Sequence, residues 1–395
     1  MSNRITDIIF FIESPFNKRD YERFGIDLLQ LNGFKVEVWD FTPIINSEVY
    51  KRVKVPDPFD FYGHKLFFSK DEVFRKINQL SENSCLVVFF MGYTLKSLFL
   101  FRAISKKRIR YAVFMANALP LPSNSKVSFL KKIKNLTPDN LLIFFFIRTP
   151  YWLLGVRGAW ICLAGGSKST TIYRYPVDSK TETLWCHSMD YDIYLKEVKA
   201  KDDALDNYQN KNYAVFLDEY LPYHPDYIHH KIPPPTSADK YYPKLCKFFD
   251  LVESVLGMEV VIAAHPRAHY ENHPHIFGGR KIIQFKTAKL VKNSKLVLLH
   301  ASTSVNYAIL FKKPCIFITT KDIQRSHMGP YIEKISSLLG IRPINLDEKI
   351  ELENERIFFV NDELYNEYID SYIKKRGSKE GPFWQIVADF LKEYK

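Results

Sequence analysis

The stretch KLVLLHASTSVNYAILFKKPCIFI, residues 295–318, contains the pattern that decides the fold of this 395-residue chain. An apolar run at 296–299 predicts a buried strand, and residues 305–311 are apolar and compatible with a helix. Pro314 then introduces a second apolar run, which predicts another strand. A strand, a helix and a strand in this order form a βαβ unit, in which the two strands are parallel.

Three hydroxyl residues, Ser302, Thr303 and Ser304, lie between the predicted strand and the predicted helix. Serine and threonine are favoured at helix N-termini, because their oxygens accept hydrogen bonds from N–H groups that lack a partner within the helix. Free N–H groups, the helix dipole and hydroxyls at such a point converge on one anion. The segment therefore predicts either a phosphate-binding loop or only a capped helix, and both interpretations stay open on this stretch alone.

The alternation of strands and helices recurs in both halves of the chain. The strand after Pro314 is predicted at residues 315–319, and further strands are predicted at residues 7–12, 34–39, 85–91, 111–115, 160–163, 171–173, 213–217, 259–264 and 281–285. Helices are predicted between several of them, including one over residues 19–31. Such alternation predicts an α/β protein with parallel sheets covered by helices on both faces.

Length and composition predict two domains, because 395 residues exceed what one hydrophobic core usually supports. The polar segment 199–212 has few apolar residues and indicates a linker. We therefore expect an N-terminal Rossmann-like domain over residues 1–200, a C-terminal one over 213–378, and a site in the cleft between them. The amphipathic segment within 379–395 predicts a helix that packs across both domains.

The net charge limits the class of partner that the protein can bind. The net charge of +12 indicates an anionic partner, which is a nucleic acid, an acidic membrane surface, a nucleotide-sugar or an acidic glycan. Nucleic acid is disfavoured because no zinc finger or aromatic–basic recognition motif is present.

The five cysteines are scattered without a C-x-x-C pair, so we expect reduced thiols. The N-terminus lacks a signal-peptide pattern, and we expect a cytoplasmic protein.

Two basic runs precede an aromatic-rich region in the first half. The runs are residues 106–110 and 131–134, and the region rich in aromatic residues is 143–160. This pattern fits peripheral contact with anionic lipid at the inner face of a membrane, or a solvated helix face beside a buried helix. The longest apolar region, 141–163, is interrupted by two arginines and a proline, which argues against a membrane span.

Three polar motifs in the second half directly follow predicted strands. They are Asp218-Glu219 after YAVFL, His265-Pro266-Arg267 after VVIAA, and Ser302-Thr303-Ser304 after KLVLLHA. The carboxyl ends of parallel strands meet at one edge of a sheet, which is where open α/β sheets bind ligands. We therefore expect the three motifs to lie close together.

The chemistry of the three motifs is complementary. A carboxylate can act as a general base, His and Arg can bind a phosphate or a leaving nucleotide, and hydroxyls can hold the same phosphate. Together the motifs indicate transfer from an activated phosphate ester, although each alone is also common in turns and caps. Strand alternation leaves open whether Asp218 or Glu219 faces the ligand. No metal site is expected, because Pro266 disfavours the helix that would join His265 and His269.

These motifs resemble those of bacterial sialyltransferases and related surface-polysaccharide glycosyltransferases of the GT-B fold. The hallmarks of that family are an acidic pair followed by glycine, an HP motif and a Ser/Thr pair. The matching residues here are Asp218-Glu219, His265-Pro266 and Ser302-Thr303-Ser304. Tyr220 stands where the family pattern has glycine, and the matched region is mainly residues 213–320.

The resemblance implies a GT-B enzyme that uses a CMP-activated acidic sugar, such as a sialic acid-like nonulosonate or Kdo, in capsule or lipopolysaccharide biosynthesis. The acceptor would be a glycan or a lipid-linked glycan. One of the acidic pair, by analogy Asp218, would deprotonate the acceptor hydroxyl, and the other two motifs would hold CMP. No metal or other cofactor would be obligatory.

The loop ESPFNKRD, residues 13–20, follows the first predicted strand and supplies weaker candidates for acceptor binding. These are Glu13, Arg19 and Asp20, whose ordinary interpretation is surface charge near a helix start. Three alternatives to the main prediction stay open. They are a CDP-polyol phosphotransferase, a nucleotide-sugar epimerase of similar fold, and a non-catalytic polysaccharide-assembly protein.

Overall fold

The protein forms two compact units. The computed structural model describes residues 4–52, 55, 57–122, 138–172, 174–200, 211–224, 227, 232–273, 275–352 and 357–394. The first unit contains the chain up to Ala118, the segment that ends at His187 and the segment that begins at Lys375. The second unit is formed mainly by Ser188–Lys374. Each unit contains one sheet, and all strand pairs are parallel.

The first unit contains a seven-stranded sheet in the order β3-β2-β1-β4-β5-β6-β7. The strands are β1 (Asp7–Ile12), β2 (Lys35–Asp40), β3 (His64–Leu66), β4 (Cys85–Phe90), β5 (Arg110–Phe114), β6 (Ile161–Ala164) and β7 (Glu182–Trp185). The helices are α1 (Lys18–Arg23), α2 (Ile26–Leu31), α3 (Thr42–Ile45), α4 (Ser47–Arg52), α5 (Lys70–Asn78), α6 (Leu98–Lys106), α7 (Pro138–Arg148) and α8 (Ser169–Ile172), and α16 (Phe383–Glu393) near the C-terminus. The strand order reverses between β1 and β4, which makes this pair the topological switch point.

The second unit contains a six-stranded sheet in the order β10-β9-β8-β11-β12-β13. The strands are β8 (Tyr213–Leu217), β9 (Glu259–Ala264), β10 (Ile282–Gln284), β11 (Leu296–Leu299), β12 (Cys315–Thr319) and β13 (Ile344–Asn345). The helices are α9 (Met189–Lys199), α10 (Ala238–Leu256), α11 (Thr287–Asn293), α12 (Val305–Leu310), α13 (Lys321–Arg325), α14 (Gly329–Leu338) and α15 (Asp362–Tyr368), with a 3₁₀ turn at Tyr270–Asn272 and a π turn at Ile369–Ile373. The switch point of this sheet lies between β8 and β11.

The strands that the sequence marks most clearly are those buried on both faces. Every residue of β8, β11 and β12 is buried. Parallel strands under helices on both faces have continuous apolar runs, and this explains why β8, β9 and β12 have the predicted bounds. The α/β class and the parallel sheets predicted from the sequence are therefore confirmed.

Two local predictions were wrong. The helix predicted over 19–31 is two helices, because Gly25 adopts a φ of 53° and a Cβ there would lie 2.5 Å from the Trp384 ring. The strand predicted at 171–173 is instead the short helix Ser169–Ile172, and Tyr173 lies outside the described residues. The Ser169 hydroxyl accepts a hydrogen bond from the Gly165 N–H (3.0 Å), which forms the turn into that helix.

The unit boundary lies between His187 and Ser188 rather than near residue 200. Helix α9 therefore belongs to the second unit, although it precedes the polar segment that indicated the linker. Polarity indicates where the chain is solvated, whereas the boundary depends on which unit a helix packs against. Most of the linker predicted from polarity, residues 201–210, lies outside the described residues.

The predicted C-terminal helix is present as α16 and belongs to the first unit. The Trp384 indole N–H donates to the Arg23 carbonyl oxygen (2.7 Å), and its ring meets Phe10 edge to face at 4.9 Å. The Asn32 side chain donates to Gln385 (2.9 Å). The helix thus packs on β1, α1 and α2 of the first unit.

All five cysteines are free thiols, as expected. Burial raises the pKa of Cys85, Cys162 and Cys315 to about 12. These thiols act as small apolar core residues.

Candidate active site

The three polar motifs of the second half lie at one edge of the second sheet. Strand β8 pairs with β9 on one side and with β11 on the other, and Phe216 is level with Ile262 and Leu298. The residues that follow the three strands therefore leave the sheet side by side. The structure brings the three motifs together at the carboxyl end of the sheet.

Asp218 is buried, and protein donors surround its carboxylate. One oxygen accepts the Tyr220 N–H (2.9 Å), and the other accepts the His265 N–H (3.3 Å) and the Tyr270 hydroxyl (2.5 Å). Burial raises the pKa of this carboxyl, and the hydrogen bonds from Tyr270 and the backbone oppose that rise. Asp218 joins the ends of β8 and β9, which is a structural role. The assignment of Asp218 as base, made by analogy, stays a prediction.

Glu219 lies at the switch point and remains partly exposed. Its Oε1 atom accepts the Ala301 N–H (2.7 Å), so the carboxylate reaches from the end of β8 to the loop after β11. Although part of the residue is exposed, protein surrounds its carboxylate, and this burial raises the pKa of Glu219 to about 7; the Ala301 N–H opposes the rise, and the charge of Asp218 adds to it. A carboxylate with this pKa can accept a proton near neutral pH. Of the acidic pair, Glu219 is the residue with partial exposure, and its role as a base stays a prediction.

Tyr220 adopts the left-handed backbone conformation, with a φ of 54°. This conformation costs a non-glycine residue roughly 1–2 kcal/mol, which explains a glycine after the acidic pair in the family pattern. Here the Tyr220 N–H is bonded to Asp218, and the buried ring packs against Tyr223 (5.4 Å) and Tyr270 (5.2 Å). Aromatic packing and the hydrogen bond offset the backbone strain.

The His-Pro-Arg motif forms a partly exposed cationic cluster with His224. The His265 Nδ1 atom accepts the Arg267 N–H (3.2 Å), so a neutral His265 ring carries its proton on Nε2. The Arg267 Nη2 atom lies 3.3 Å from His224 Nε2, and the two imidazoles meet edge to face at 4.8 Å. The Gln284 amide donates to the carbonyl oxygen of His265 (3.2 Å) and supports the loop. The cluster is suited to a phosphate group.

The hydroxyl loop differs from the predicted helix cap. The N–H groups of residues 305, 306 and 307 donate to the carbonyl oxygens of residues 302, 303 and 304 at 3.0–3.1 Å. This tight turn uses the N–H groups that were expected to be free. The Ser302 hydroxyl accepts the Ser304 N–H (3.2 Å). Among the described residues, the hydroxyls of Thr303 and Ser304 have no hydrogen-bond partner and are the groups left for an anion.

A buried carboxylate in α9 holds the helix that follows the hydroxyl loop. Asp190 accepts hydrogen bonds from the Asn306 amide (2.9 Å) and the Tyr307 hydroxyl (3.2 Å), both on α12. These contacts fix the helix that follows the hydroxyl loop. Sequence reasoning missed Asp190, because 116 residues separate it from Asn306 and no motif contains both.

His300 precedes the hydroxyl loop but is part of the core. Its Nδ1 atom donates to the Ile318 carbonyl oxygen (2.7 Å), and the Tyr241 hydroxyl donates to its Nε2 atom (2.7 Å). Burial lowers the pKa of His300 to about 4, so the ring is neutral at physiological pH. His300 therefore connects β11, β12 and α10 and does not face a ligand.

The weaker candidates of the first unit lie near its own switch point. The Glu13 carboxylate accepts the Gly92 N–H (3.0 Å). Arg19 and Asp20 lie on α1 with 3.9 Å between guanidinium and carboxylate, and burial raises the pKa of Asp20. The Asp20 N–H is capped by the Asn17 side chain (3.1 Å). Their role in acceptor binding stays a prediction.

Within the described part of the chain, no three His, Cys, Asp or Glu side chains form a group that could hold a metal ion. The two histidines with metal-like spacing have separate partners. His269 Nδ1 lies 3.1 Å from Glu271, and His265 Nδ1 accepts the Arg267 N–H.

Comparison with known proteins finds similarity in structure only. No protein-family model and no curated protein matches the sequence. Among solved structures, the wall teichoic acid polymerase TagF with CDPG is similar at a TM-score of 0.52 and 11% identity, covering 98% of this chain and 88% of that chain. The UDP-GlcNAc 2-epimerase from Methanocaldococcus jannaschii matches at 0.49 and 14% identity, covering 98% and 99%. MurG from Acinetobacter baumannii matches at 0.46 and 12% identity, also covering 98% and 99%.

The two parallel Rossmann-like sheets and the similarity to solved structures show that the chain has the GT-B fold. The fold predicted from the sequence is therefore confirmed. Structural similarity at sequence identities this low shows the fold and does not show the activity, which depends on the residues of the site.

Proposed function

We propose that this protein is a glycosyltransferase that moves an acidic sugar, such as a sialic acid-like nonulosonate or Kdo, from its CMP ester to a surface glycan. One observation carries the proposal. Glu219, whose pKa is raised to about 7, lies at the switch point of the second sheet beside two open hydroxyls and near the His-Arg cluster. Open α/β sheets bind their ligands at this place.

In the proposed reaction, Glu219 takes the proton of the acceptor hydroxyl, and the acceptor oxygen bonds to the anomeric carbon of the sugar. The bond between that carbon and the phosphate oxygen breaks, and CMP leaves. Arg267, His265 and the hydroxyls of Thr303 and Ser304 stabilise the charge that develops on the phosphate. Pro266 and Ser302 hold the shape of the two loops. Glu13, Arg19 and Asp20 are the proposed contacts of the acceptor.

A second candidate is transfer of a polyol phosphate from a CDP-activated donor, with release of CMP and formation of a phosphodiester. The cluster of His224, His265 and Arg267 favours it, because three nitrogen-bearing side chains can bind both phosphates of a CDP-activated donor. The similar TagF structure is that of a variant soaked with CDPG. The acidic sugar ester is preferred here, because the three motifs follow the sialyltransferase pattern.

A calorimetric titration with CMP, CDP, UMP and GMP tests the donor class. We expect CMP to bind most tightly, and we expect the Arg267→Ala variant to lose most of that affinity. A clear preference for CDP would support the phosphotransferase, and a preference for UMP would indicate a UDP-sugar enzyme. No binding of any nucleotide in the presence of acceptor glycan would overturn the enzymatic proposal.

Product analysis then tests the reaction. Incubation with CMP-activated nonulosonate or Kdo and a glycan acceptor is expected to give free CMP and a glycosidic bond. A phosphodiester product from a CDP-polyol, or an isomerised nucleotide-sugar without acceptor, would replace the proposed reaction by one of its alternatives.

A further inference from the structure

Helix α7 and the turn after it carry a cluster of exposed apolar side chains in the described part of the first unit. Leu142, Phe145 and Ile147 on the helix, and Trp152 and Leu153 on the turn, are each more than half exposed. We call these five residues the docking surface. Water contact of so many large apolar side chains in one place is unfavourable and marks an interaction site.

The helix is anchored to the unit by one face only. Of its residues 141–148, Phe146 alone is buried, and its ring packs against Tyr93 at 5.0 Å. Arg174 donates to the carbonyl oxygens of Phe146 (3.0 Å) and Thr149 (2.7 Å), which caps the C-terminal end of the helix. The docking surface is thus held in place while its apolar side chains point away from the core.

Positive charge is concentrated in the part of the sequence that contains α7. Between residues 91 and 177 the sequence has 14 Lys and Arg residues and one acidic residue, whereas the rest of the chain has 42 basic and 43 acidic residues. The whole net charge of +12 therefore arises from the segment that contains α7. Among the described residues, Arg148 lies over the Phe144 ring at 3.5 Å, and Arg102 lies beside Gly155 on the same turn as Trp152. Both arginines are exposed.

We infer that this face of the first unit docks on the surface of an anionic lipid bilayer. Aromatic and aliphatic side chains would enter the boundary between headgroups and acyl chains, and the arginines and lysines would contact anionic headgroups. A second copy of the chain is a poor occupant, because it would bring the same positive charge to the interface. The inference rests on the first unit alone and does not depend on the proposed donor or reaction.

The helix lies on the membrane and does not cross it. Helix α7 has 11 residues, which is about 16 Å, whereas the hydrocarbon core of a bilayer is about 30 Å thick. Among the described residues, none of the helices has the length and apolar character of a membrane span. The basic run at residues 131–134, which the sequence also associates with lipid, lies outside the described residues.

Vesicle flotation of the full chain tests the inference, with phosphatidylcholine vesicles compared to vesicles that contain phosphatidylglycerol as well. We expect binding to the anionic vesicles and weaker binding at high salt. The double variant Phe145→Ser/Trp152→Ser should lower the partition coefficient at least tenfold, as expected for about 20 cal/mol or more per Å² of lost apolar burial. Arg148→Gln and Arg102→Gln should each lower it by about fivefold on anionic vesicles only.

Phe68→Ser is the matched control, because Phe68 is equally exposed at 64% in the same unit but lies outside the docking surface. It should leave binding unchanged, and thermal melting should show that all variants fold. Quenching of tryptophan fluorescence by brominated lipid should be lost in Trp152→Phe. Equal binding of the double variant and the wild type, or no binding to either vesicle, would overturn the inference. A dimer that dissociates in the double variant would overturn it in favour of a second copy.

Discussion

At the carboxyl edge of each sheet a glutamate accepts a hydrogen bond from a backbone N–H group. The two edges differ in which hydroxyl groups lack a hydrogen-bond partner. In the first unit Glu13 follows β1 and accepts the Gly92 N–H, two residues after β4. In the second unit Glu219 follows β8 and accepts the Ala301 N–H, two residues after β11. In both sheets a glutamate therefore spans the switch point. This hydrogen bond alone does not distinguish a sheet edge that binds a ligand from one that has only a structural role.

The hydroxyl loops show the difference. In the first unit the Ser97 hydroxyl accepts the Thr94 N–H (3.0 Å) and donates to the Gly92 carbonyl oxygen (2.6 Å), so the loop satisfies its own polar groups. In the second unit Thr303 and Ser304 have no such partner among the described residues. The second edge also has the cationic cluster. A ligand site is indicated where polar groups are fixed in position and still lack partners.

Removal of the proposed base should have the largest effect. Glu219→Gln keeps an oxygen for the Ala301 N–H but cannot accept a proton, so turnover should fall by about 100- to 10,000-fold while CMP affinity persists. Glu13→Gln, the equivalent change in the first unit, should keep turnover at saturating acceptor within about tenfold. Initial rates with both variants measure this. Equal losses would show that the two edges do not differ as described.

The structural carboxylates should behave alike in the two units. Asp218→Asn would turn an amide N–H₂ toward backbone donors that the carboxylate now accepts, and the unfolding free energy of the second unit should fall by about 1–3 kcal/mol. Asp40→Asn should destabilise the first unit similarly, because Asp40 is buried and accepts the Thr42 N–H (2.8 Å). Denaturant titration measures both. A stable Asp218→Asn protein without turnover would return the base assignment to Asp218.

The raised pKa of Glu219 makes a prediction about stability and pH. The folded state holds the proton up to about pH 7, and the unfolded state releases it near pH 4.5, so folded wild type loses stability as pH rises through this window. Glu219→Gln lacks this loss, and its second unit should be about 1–3 kcal/mol more stable than wild type at pH 8. The difference should shrink at pH 5. A constant difference at both pH values would contradict the raised pKa.

The open hydroxyls should have the smallest effect. Thr303→Ala and Ser304→Ala should each weaken CMP binding by roughly fivefold, which corresponds to the net contribution of about 1 kcal/mol from a typical hydrogen bond. Ser97→Ala in the first unit is the matched control and should leave CMP affinity unchanged, although it removes hydrogen bonds within its loop. Calorimetry measures the affinities. Unchanged affinity in both second-unit variants would remove the hydroxyl loop from the donor site.

The sequence predicts the sheet edge better than the side-chain partners on it. Apolar runs followed by polar motifs are local signals, and they placed Asp218, His265 and Ser302 correctly at one edge. The partners of these residues are distant in sequence: Tyr270 lies 52 residues from Asp218, and Ala301 lies 82 residues from Glu219. Strand alternation left the choice between the two carboxylates open. Only the burial of one and the partial exposure of the other favour Glu219.

The sequence patterns also did not predict two backbone conformations. Tyr220 has the left-handed φ that the family pattern assigns to glycine, and a tyrosine gives no local signal for it. Gly25 did not interrupt the predicted helix over 19–31, because the reason for the break, the Trp384 ring, comes 359 positions later in the chain. Both features depend on packing against distant residues.

The position of α16 has a consequence for the order in which the units form during synthesis. The contacts of Trp384 with Arg23 and of Gln385 with Asn32 join residues that are 361 and 353 positions apart. Ribosomes add roughly 5–20 residues per second, so β1 and α2 wait tens of seconds for the helix that packs on them. The segment Ser188–Lys374 is synthesised before α16. All strands of both sheets are therefore synthesised before α16, the last helix of the first unit.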